Sequence, residues 1–306
     1  MAGEGLMTTI GFIGLGNMGG PMARNLIGAG HHLRVFDIVP AAVERAVASG
    51  AVPAADVAGA ARSVEVFISM LPAGEQMREV YLGGNGVIAS ASQGTLLIDS
   101  STIDVATARE VATVADTAGF DMIDAPVSGG VAGAEAATLS FMVGGSETAF
   151  AAAEPVLRAM GKTVVHAGPT GNGQVAKICN NLILGVSMAA VCEAFVLAER
   201  LGLPAQTLFD ITSRSSGQCW SLTSYCPVPG PVPTSPANHD YRPGFSAAMM
   251  LKDLRLAESA AANVHAVTAV ANLAATLYAD FVAADGTDID FSGIIRMIRA
   301  RSTVGP

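Results

Sequence analysis

The stretch from Ile10 to Asp37 constrains the fold of this chain more than any other. A short β-branched strand from Thr8 to Ile13 runs into Gly14-Leu15-Gly16-Asn17-Met18-Gly19, and an amphipathic helix carrying Met22, Leu26 and Ile27 follows directly. In such a strand–turn–helix unit the first glycine permits the tight turn and the second lets main chain approach a pyrophosphate. The third lets helix pack closely on strand, and the helix N-terminus offers free N–H donors to phosphate. A second strand, His32 to Phe36, ends in Asp37, eighteen residues after Gly19. A carboxylate there accepts hydrogen bonds from an adenosine ribose and repels a 2′-phosphate. The glycine spacing alone is a weak signal, and an ordinary βαβ unit with a glycine-rich turn is the plain alternative. Agreement of strand, glycines, helix and acid favours a dinucleotide site that prefers NAD to NADP.

With 306 residues, two domains are expected. Only 14% of residues are charged and 51% are hydrophobic, which excludes a disordered chain. The net charge of −9 argues against nucleic acid or an anionic membrane as partner, so an anionic substrate must be met by local cations. Cys179, Cys192, Cys219 and Cys226 show neither CxxC pairing nor zinc spacing; they read as reduced, mostly buried thiols, with no metal site. Residues 1–6 lack a basic start and a long apolar core, so no leader is read and a cytoplasmic protein is expected.

After Asp37 the pattern alternates. A helix from Ala41 to Ser49, an Ala-rich turn and helix, and a strand from Val64 to Ser69 lead to Met70-Leu71-Pro72, at the carboxyl edge where open α/β sheets bind ligands. The strand Thr95–Ile98 ends in Asp99-Ser100-Ser101-Thr102, whose hydroxyls can cap a helix over 106–118 or touch a ligand. The strand Asp121–Asp124 is followed by Ala125-Pro-Val-Ser128-Gly129-Gly130-Val-Ala-Gly-Ala134, whose glycines leave N–H groups open to an anion such as a carboxylate. Strands at 139–143 and 163–165, with a helix over 147–160 between them, complete a Rossmann-type doubly wound sheet, and the first domain is expected to span 1–168.

The remainder, 169–306, reads as all-α. A helix from Gln174 to Arg200, closed by Gly202 and Pro204, is apolar enough to invite a membrane-spanning reading. Lys177, Asn180, Asn181, Glu193, Glu199 and Arg200 interrupt it, and a buried core helix is expected instead. Further helices are expected over 205–213, 247–262, 267–284 and 292–301. Six prolines between Cys226 and Pro243 resemble a linker, yet helices flank them, so an ordered loop inside the second domain is expected. A helical domain this apolar suggests a homodimer or homotetramer.

Two cations stand out. Lys177 and Asn181 lie one turn apart on one helix face, where an ammonium and an amide side by side suggest function, against plain solvent exposure near a helix start. Lys252 sits among apolar residues in Met-Met-Leu-Lys-Asp-Leu, and the pattern leaves its role undecided.

Gly11–Gly19, Asp99–Ile103, Asp124–Val131, Gly171–Asn181 and Lys252-Asp253-Leu254 together carry a resemblance that covers nearly the whole chain: it resembles the β-hydroxyacid dehydrogenase family. The segment Ser215–Trp220, with Pro227–Gly230 and Gly244-Phe245, resembles the 3-hydroxyisobutyrate branch in particular. The resemblance implies a Rossmann domain, a helical domain, and a cleft between them for NAD and a short 3-hydroxy acid. It implies Lys177 as catalytic acid/base, Asn181 as a substrate-positioning group, Ser128, Gly129 and Gly130 on the substrate carboxylate, Thr102 and Lys252 beside the nicotinamide end, and Leu71 and Pro72 lining the cofactor site. Trp220 and Phe245 would shape the substrate pocket. Oxidising an alcohol leaves an oxygen that must shed its proton, so a base within reach is required. A lysine near its ordinary ~10.4 would stay protonated, and burial, Lys252 and the oxidised nicotinamide are expected to push Lys177 down. Ala137 stands where the family usually has glycine, and Gln76, also at the cofactor site, where close homologues tend to have asparagine.

The expected activity is NAD-dependent oxidation of 3-hydroxyisobutyrate in valine breakdown. A reductase for tartronate semialdehyde, glyoxylate or succinic semialdehyde would share every motif, and a non-catalytic dinucleotide-binding module would be expected to have lost Lys177.

Overall fold

A computed structural model describes residues 7–285 and 288–302. The hexapeptide read as lacking a leader, and positions 303–306, lie outside the described residues. The chain divides into two compact units, Met1–Lys177 and Ile178–Pro306.

The first unit is built in the order β1 (Thr9–Ile13), α1 (Gly19–Gly28), β2 (His32–Phe36), α2 (Pro40–Ala48), β3 (Val52–Pro53), α3 (Val57–Ala61), β4 (Val66–Ser69), α4 (Gly74–Leu82), α5 (Val87–Ser90), β5 (Leu96–Asp99), α6 (Val105–Thr117), β6 (Met122–Asp124), β7 (Val127–Ser128), α7 (Gly130–Glu135), β8 (Leu139–Gly144), α8 (Glu147–Arg158) and β9 (Gly161–Gly168). The strands form one sheet in the order β3-β2-β1-β4-β5-β6-β8-β7, with β9 paired to β8. From β3 to β6 all pairings are parallel, while β8 runs antiparallel to β6 and β7. Alternate residues feed two cores. Phe12, Ile68 and Ile98 pack on one face with α1, α2 and α8; Ile13, Phe67 and Leu97 pack on the other with α4 and α6. Burial on both faces explains why β4, β5 and β6 read as apolar runs up to their closing residues Ser69, Asp99 and Asp124. The strand order reverses between β1 and β4, so the ends of these two strands form a topological switch point, the place where such sheets bind ligands. The doubly wound class is as expected. β3 is an addition: two exposed edge residues, one a proline, carry no period for a sequence reading to detect.

In the second unit the chain is helical. α9 spans Asn172–Arg200, with its residues up to Lys177 counted in the first unit, and is followed by α10 (Ala205–Thr212), α11 (Trp220–Thr223), α12 (Ala247–Asn263), α13 (Ala269–Asp285) and α14 (Ile294–Arg301), with one isolated bridge between Ser246 and Asp290. α9 ends in a Schellman turn: Gly202, at φ +81°, donates to the Glu199 carbonyl and Leu203 to that of Ala198. The interrupting charges do not rule out a spanning length as expected. An 18-residue window of α9 has a mean hydropathy of 1.9, long and apolar enough by composition to cross a membrane. Half of that window is buried within the protein, and Met188, Cys192, Phe195 and Val196 pack against Met250, Leu254, Tyr278 and Phe281, as a core helix does.

The proline-rich segment 226–243 packs as part of this unit: Cys226 and Val228 are buried, and the Tyr241 hydroxyl donates to the Pro227 carbonyl at 2.7 Å. All four cysteines are free thiols, but only Cys192 and Cys226 are buried; Cys179, on the outward side of α9, is exposed. The expectation of mostly buried thiols is corrected there.

Candidate active site

At the switch point Gly14 adopts φ +87°, and a Cβ on it would lie 2.2 Å from the Met70 carbonyl; a Cβ on Gly19 would lie 1.8 Å from that of Gly14. Both positions admit only glycine. Gly16 differs, because a Cβ there would meet nothing within 4 Å. It would project into open space that a pyrophosphate can use. A groove of about 180 Å³ runs past Leu15, Gly16, Asn17, Gly20, Pro21 and Arg24 to Val131 and Glu135 of α7. Leu15 buries its side chain in the core and presents main chain alone, while Met18 precedes α1 without supplying a side-chain cap. The residues therefore fit a dinucleotide phosphate at the start of α1. Asp37 directly follows β2 and is held by two main-chain donors. Its Oδ2 accepts from the Leu15 N–H at 2.6 Å and its Oδ1 from the Val39 N–H at 2.8 Å. These bonds fix the carboxylate beside the turn, and each oxygen keeps a further lone pair for a ribose hydroxyl.

Met70-Leu71-Pro72 follows β4, and the Leu71 N–H donates to Ser101 Oγ at 2.7 Å. Ser101 and Ser69 each donate to Asp99 Oδ1 at 2.6 Å. Asp99 is fully buried, and desolvation pushes its carboxyl from 3.8 up to about 6 against the lowering effect of the two hydroxyl donors. The sequence leaves the hydroxyls of 100–102 open between capping the next helix and touching a ligand; the capping carboxylate lies two residues further on. Asp104, the residue immediately before α6, accepts from the Thr107 N–H at 2.8 Å, since a cap must adjoin the first turn to reach its amides. Ser101 ties the β4 and β5 loops together instead. Thr102 is partly exposed between the buried Ser101 and Ile103, and Gln76 is partly exposed on α4.

The Ser128–Gly130 run forms the end of β7 and the start of α7, so its glycines open a short helix rather than an irregular loop. Gly129 and Gly130 both have positive φ, and Ser128 is half-buried. Ala137, standing where glycine is usual, takes φ +54° just past that helix.

Lys177 is buried, 7% exposed, on the first turns of α9, which excludes the simple solvent-exposed alternative. Two residues that sequence reasoning passed over hold this helix end. Asp124 accepts from the N–H groups of Gly171 at 2.7 Å and Gln174 at 2.9 Å, and Gln174, itself fully buried, reaches the β5 loop. Desolvation raises the Asp124 carboxyl while these main-chain donors pull it down.

In the second unit Asn181 is buried and donates to Asp253 Oδ2, while its own Oδ1 accepts from Asn180 Nδ2 at 2.9 Å. Lys252 Nζ lies 3.5 Å from Asp253 Oδ1, so Asp253 links Asn181 to Lys252. Lys252, Arg255, Leu251 and Val282 line a cavity of about 400 Å³. Trp220 and Phe245 are joined through two aromatics that were not singled out: Trp220 stacks on Tyr225 at 4.9 Å, Tyr225 on Phe291 at 5.3 Å, and Phe245 meets Phe291 edge-on at 5.7 Å. Asp290 anchors the group, accepting from the Tyr225 hydroxyl at 2.8 Å and from the Gly244 and Phe245 N–H groups. Among the described residues no His, Cys, Asp and Glu side chains cluster as a metal site.

Comparison with known proteins bears on this geometry. Residues 9–168 match the family model for the NAD-binding domain of 6-phosphogluconate dehydrogenase, and residues 171–298 that for the NAD-binding region of NADP-dependent 3-hydroxyisobutyrate dehydrogenase. A 3-hydroxyisobutyrate dehydrogenase of Pseudomonas aeruginosa is 48% identical over 297 residues, covering 96% of this chain and all of that one. An NAD-dependent L-serine dehydrogenase of the same organism is 45% identical over 291 residues, 95% of this chain and 98% of its own. The solved structure of Mycobacterium tuberculosis 3-hydroxyisobutyrate dehydrogenase with L-serine superposes with a TM-score of 0.92 at 52% identity, covering 96% of this chain and 100% of that chain.

Proposed function

The chain belongs to the 3-hydroxyisobutyrate dehydrogenase family, and from that premise we propose that it oxidises 3-hydroxyisobutyrate to methylmalonate semialdehyde with NAD, a step of valine breakdown. The observation that carries the mechanism is the near-complete burial of Lys177 on the first turns of α9. When bound, NAD supplies the hydride acceptor. Lys177, as its neutral amine, takes the proton from the substrate hydroxyl as the C–H bond breaks, and returns it in the reverse direction. Ser128 and the N–H groups of Gly129 and Gly130 receive the carboxylate. Asn181 orients the alcohol through the amide hydrogen that Asp253 leaves available, and Trp220 and Phe245 bound the α-substituent. Gly14, Leu15, Gly16, Asn17, Met18, Gly19 and Asp37 hold the adenosine and pyrophosphate; Leu71, Pro72, Gln76, Thr102 and Lys252 serve the nicotinamide side. The same reading assigns the protein to the cytoplasm as a homo-oligomer, a state that the exposed apolar side chains Ile183 and Leu197 on α9 and Leu201 just past its end favour.

A second reading is favoured by the two comparisons that name L-serine. Serine carries the same primary alcohol β to a carboxylate and differs at the α-substituent, an ammonium in place of a methyl. Initial rates with 3-hydroxyisobutyrate and L-serine, each with NAD and NADP, separate the readings. The highest kcat/KM is expected for 3-hydroxyisobutyrate with NAD. A higher value for L-serine would transfer the function to that substrate, and no turnover of any short 3-hydroxy acid would remove it.

A further inference from the structure

Gln174 is fully buried yet polar, and both ends of its carboxamide are engaged on either side of one residue. Its Nε2 donates to the Ser101 carbonyl at 2.8 Å and its Oε1 accepts from the Ile103 N–H at 3.1 Å, so the amide brackets Thr102. A backbone acceptor on one side and a backbone donor on the other admit one orientation of the carboxamide. The Gln174 N–H is held in turn by Asp124 Oδ2, and the Gly171 N–H by Oδ1. Asp124 thus serves as an N-terminal cap supplied from the end of β6, satisfying amides that a helix start leaves free and placing its charge at the favourable end of the helix dipole. Nothing intervenes between helix and sheet edge. A Cβ on Gly173 would lie 2.4 Å from the Met142 carbonyl, and one on Gly144 would lie 2.5 Å from Asp124 Oδ1.

We propose that Asp124 and Gln174 are positioning residues that hold Lys177 at a fixed place relative to the β5 loop. Lys177 lies three residues beyond Gln174, nearly one turn, which puts it about 4.5 Å further along the helix axis on the same flank. The clamp fixes the helix end in two directions: Asp124 sets how closely it approaches the sheet, and the carboxamide sets its rotation against Ser101 and Ile103. Replacing the carboxamide leaves a carbonyl and an N–H without partners in a buried place, and the helix or loop must shift to satisfy them. A displacement on the order of 1 Å can cost ~10²-fold in rate. The role rests on the assignment of Lys177 as acid/base above.

A double-mutant cycle tests it, with kcat, KM, the dissociation constant for NADH and the melting temperature measured on each purified protein. Gln174→Met keeps the side-chain length and removes both hydrogen bonds; kcat is expected to fall ~10²-fold with KM and NADH affinity changed far less. Gln174→Glu keeps the acceptor toward Ile103 but turns its other oxygen toward the Ser101 carbonyl, so it is expected to recover part of kcat only to the extent that the buried acid is protonated and donates there. Combined with Lys177→Met, either change is expected to add nothing beyond about twofold, because the group it positions is gone. If instead Lys177→Met shows its ~10²–10⁴-fold loss and the two losses multiply, Gln174 acts by another route and the positioning role is overturned while the acid/base assignment stands. Near wild-type kcat in Lys177→Met overturns both. Loss of the fold in both Gln174 variants would also overturn it, by making the clamp part of the framework.

Discussion

Ala137 is the position where a single added degree of freedom should stabilise this protein. It is the first residue past the cap of α7 and takes φ +54°, with the Thr138 N–H donating back to the Gly133 carbonyl at 2.9 Å in a Schellman turn. An L-residue in this left-handed region costs about 1–2 kcal/mol, which glycine does not incur. Ala137→Gly also loosens the unfolded chain, an opposing effect of about 0.4–1 kcal/mol. The difference of the midpoints predicts a net gain of about 0.8 kcal/mol. For a unit of this size each kcal/mol moves the melting temperature by about 2–4 °C, so a rise of roughly 1–4 °C is expected in a circular dichroism or calorimetric melt. Ala136→Gly is the control: its φ of −85° suits alanine, so glycine there contributes only unfolded-state entropy and should lower the melting temperature. A melting temperature for Ala137→Gly at or below wild type would refute the reasoning, as would equal responses at the two positions.

Asp37→Ala should reduce the ratio of kcat/KM for NAD to that for NADP, because the carboxylate that repels a 2′-phosphate is gone; an unchanged ratio would dissociate Asp37 from cofactor choice. Asp99 should make stability depend on pH in an unusual direction. Its folded-state value of about 6 lies above the ordinary 3.8, so protonation contributes stability that is fully present below about pH 4 and lost as pH rises through about 6, on the order of 3 kcal/mol. The stability of wild type relative to Asp99→Asn should therefore grow as pH is lowered from about 7 to about 4, read from urea midpoints; a constant difference across that window contradicts a buried, titrating Asp99.

What the sequence makes legible is what lies close along it. The unit from Thr9 to Asp37 is local: one strand, one turn, one helix and the next strand carry it, and the positions of Gly14, Gly16, Gly19 and Asp37 follow from their spacing. The Lys177–Asn181 pairing is likewise a property of helix period. The residues that fix these groups meet from far apart. Asp124 joins Gly171 and Gln174 across 47 and 50 positions, and Asp253 joins Asn181 across 72. A buried polar side chain leaves no periodic trace, so Gln174 looks like any polar residue at a helix start. The closest signal was the pair Gly171 and Gly173 flanking Asn172, small residues where a helix end must approach something closely. The helix cap at Asp104 is hidden for the opposite reason: three hydroxyl residues at 100–102 offer themselves as caps or ligand contacts, while a single carboxylate adjoins the first turn.

The central claim, that Lys177 moves the proton in an NAD-linked oxidation of a short 3-hydroxy acid, is tested most directly by kcat for Lys177→Met with 3-hydroxyisobutyrate and saturating NAD, followed by NADH absorbance. General acid–base catalysis typically contributes ~10²–10⁴-fold, and a loss of that size is predicted in a protein that melts and binds NADH as wild type does. Turnover within a few-fold of wild type would contradict the account.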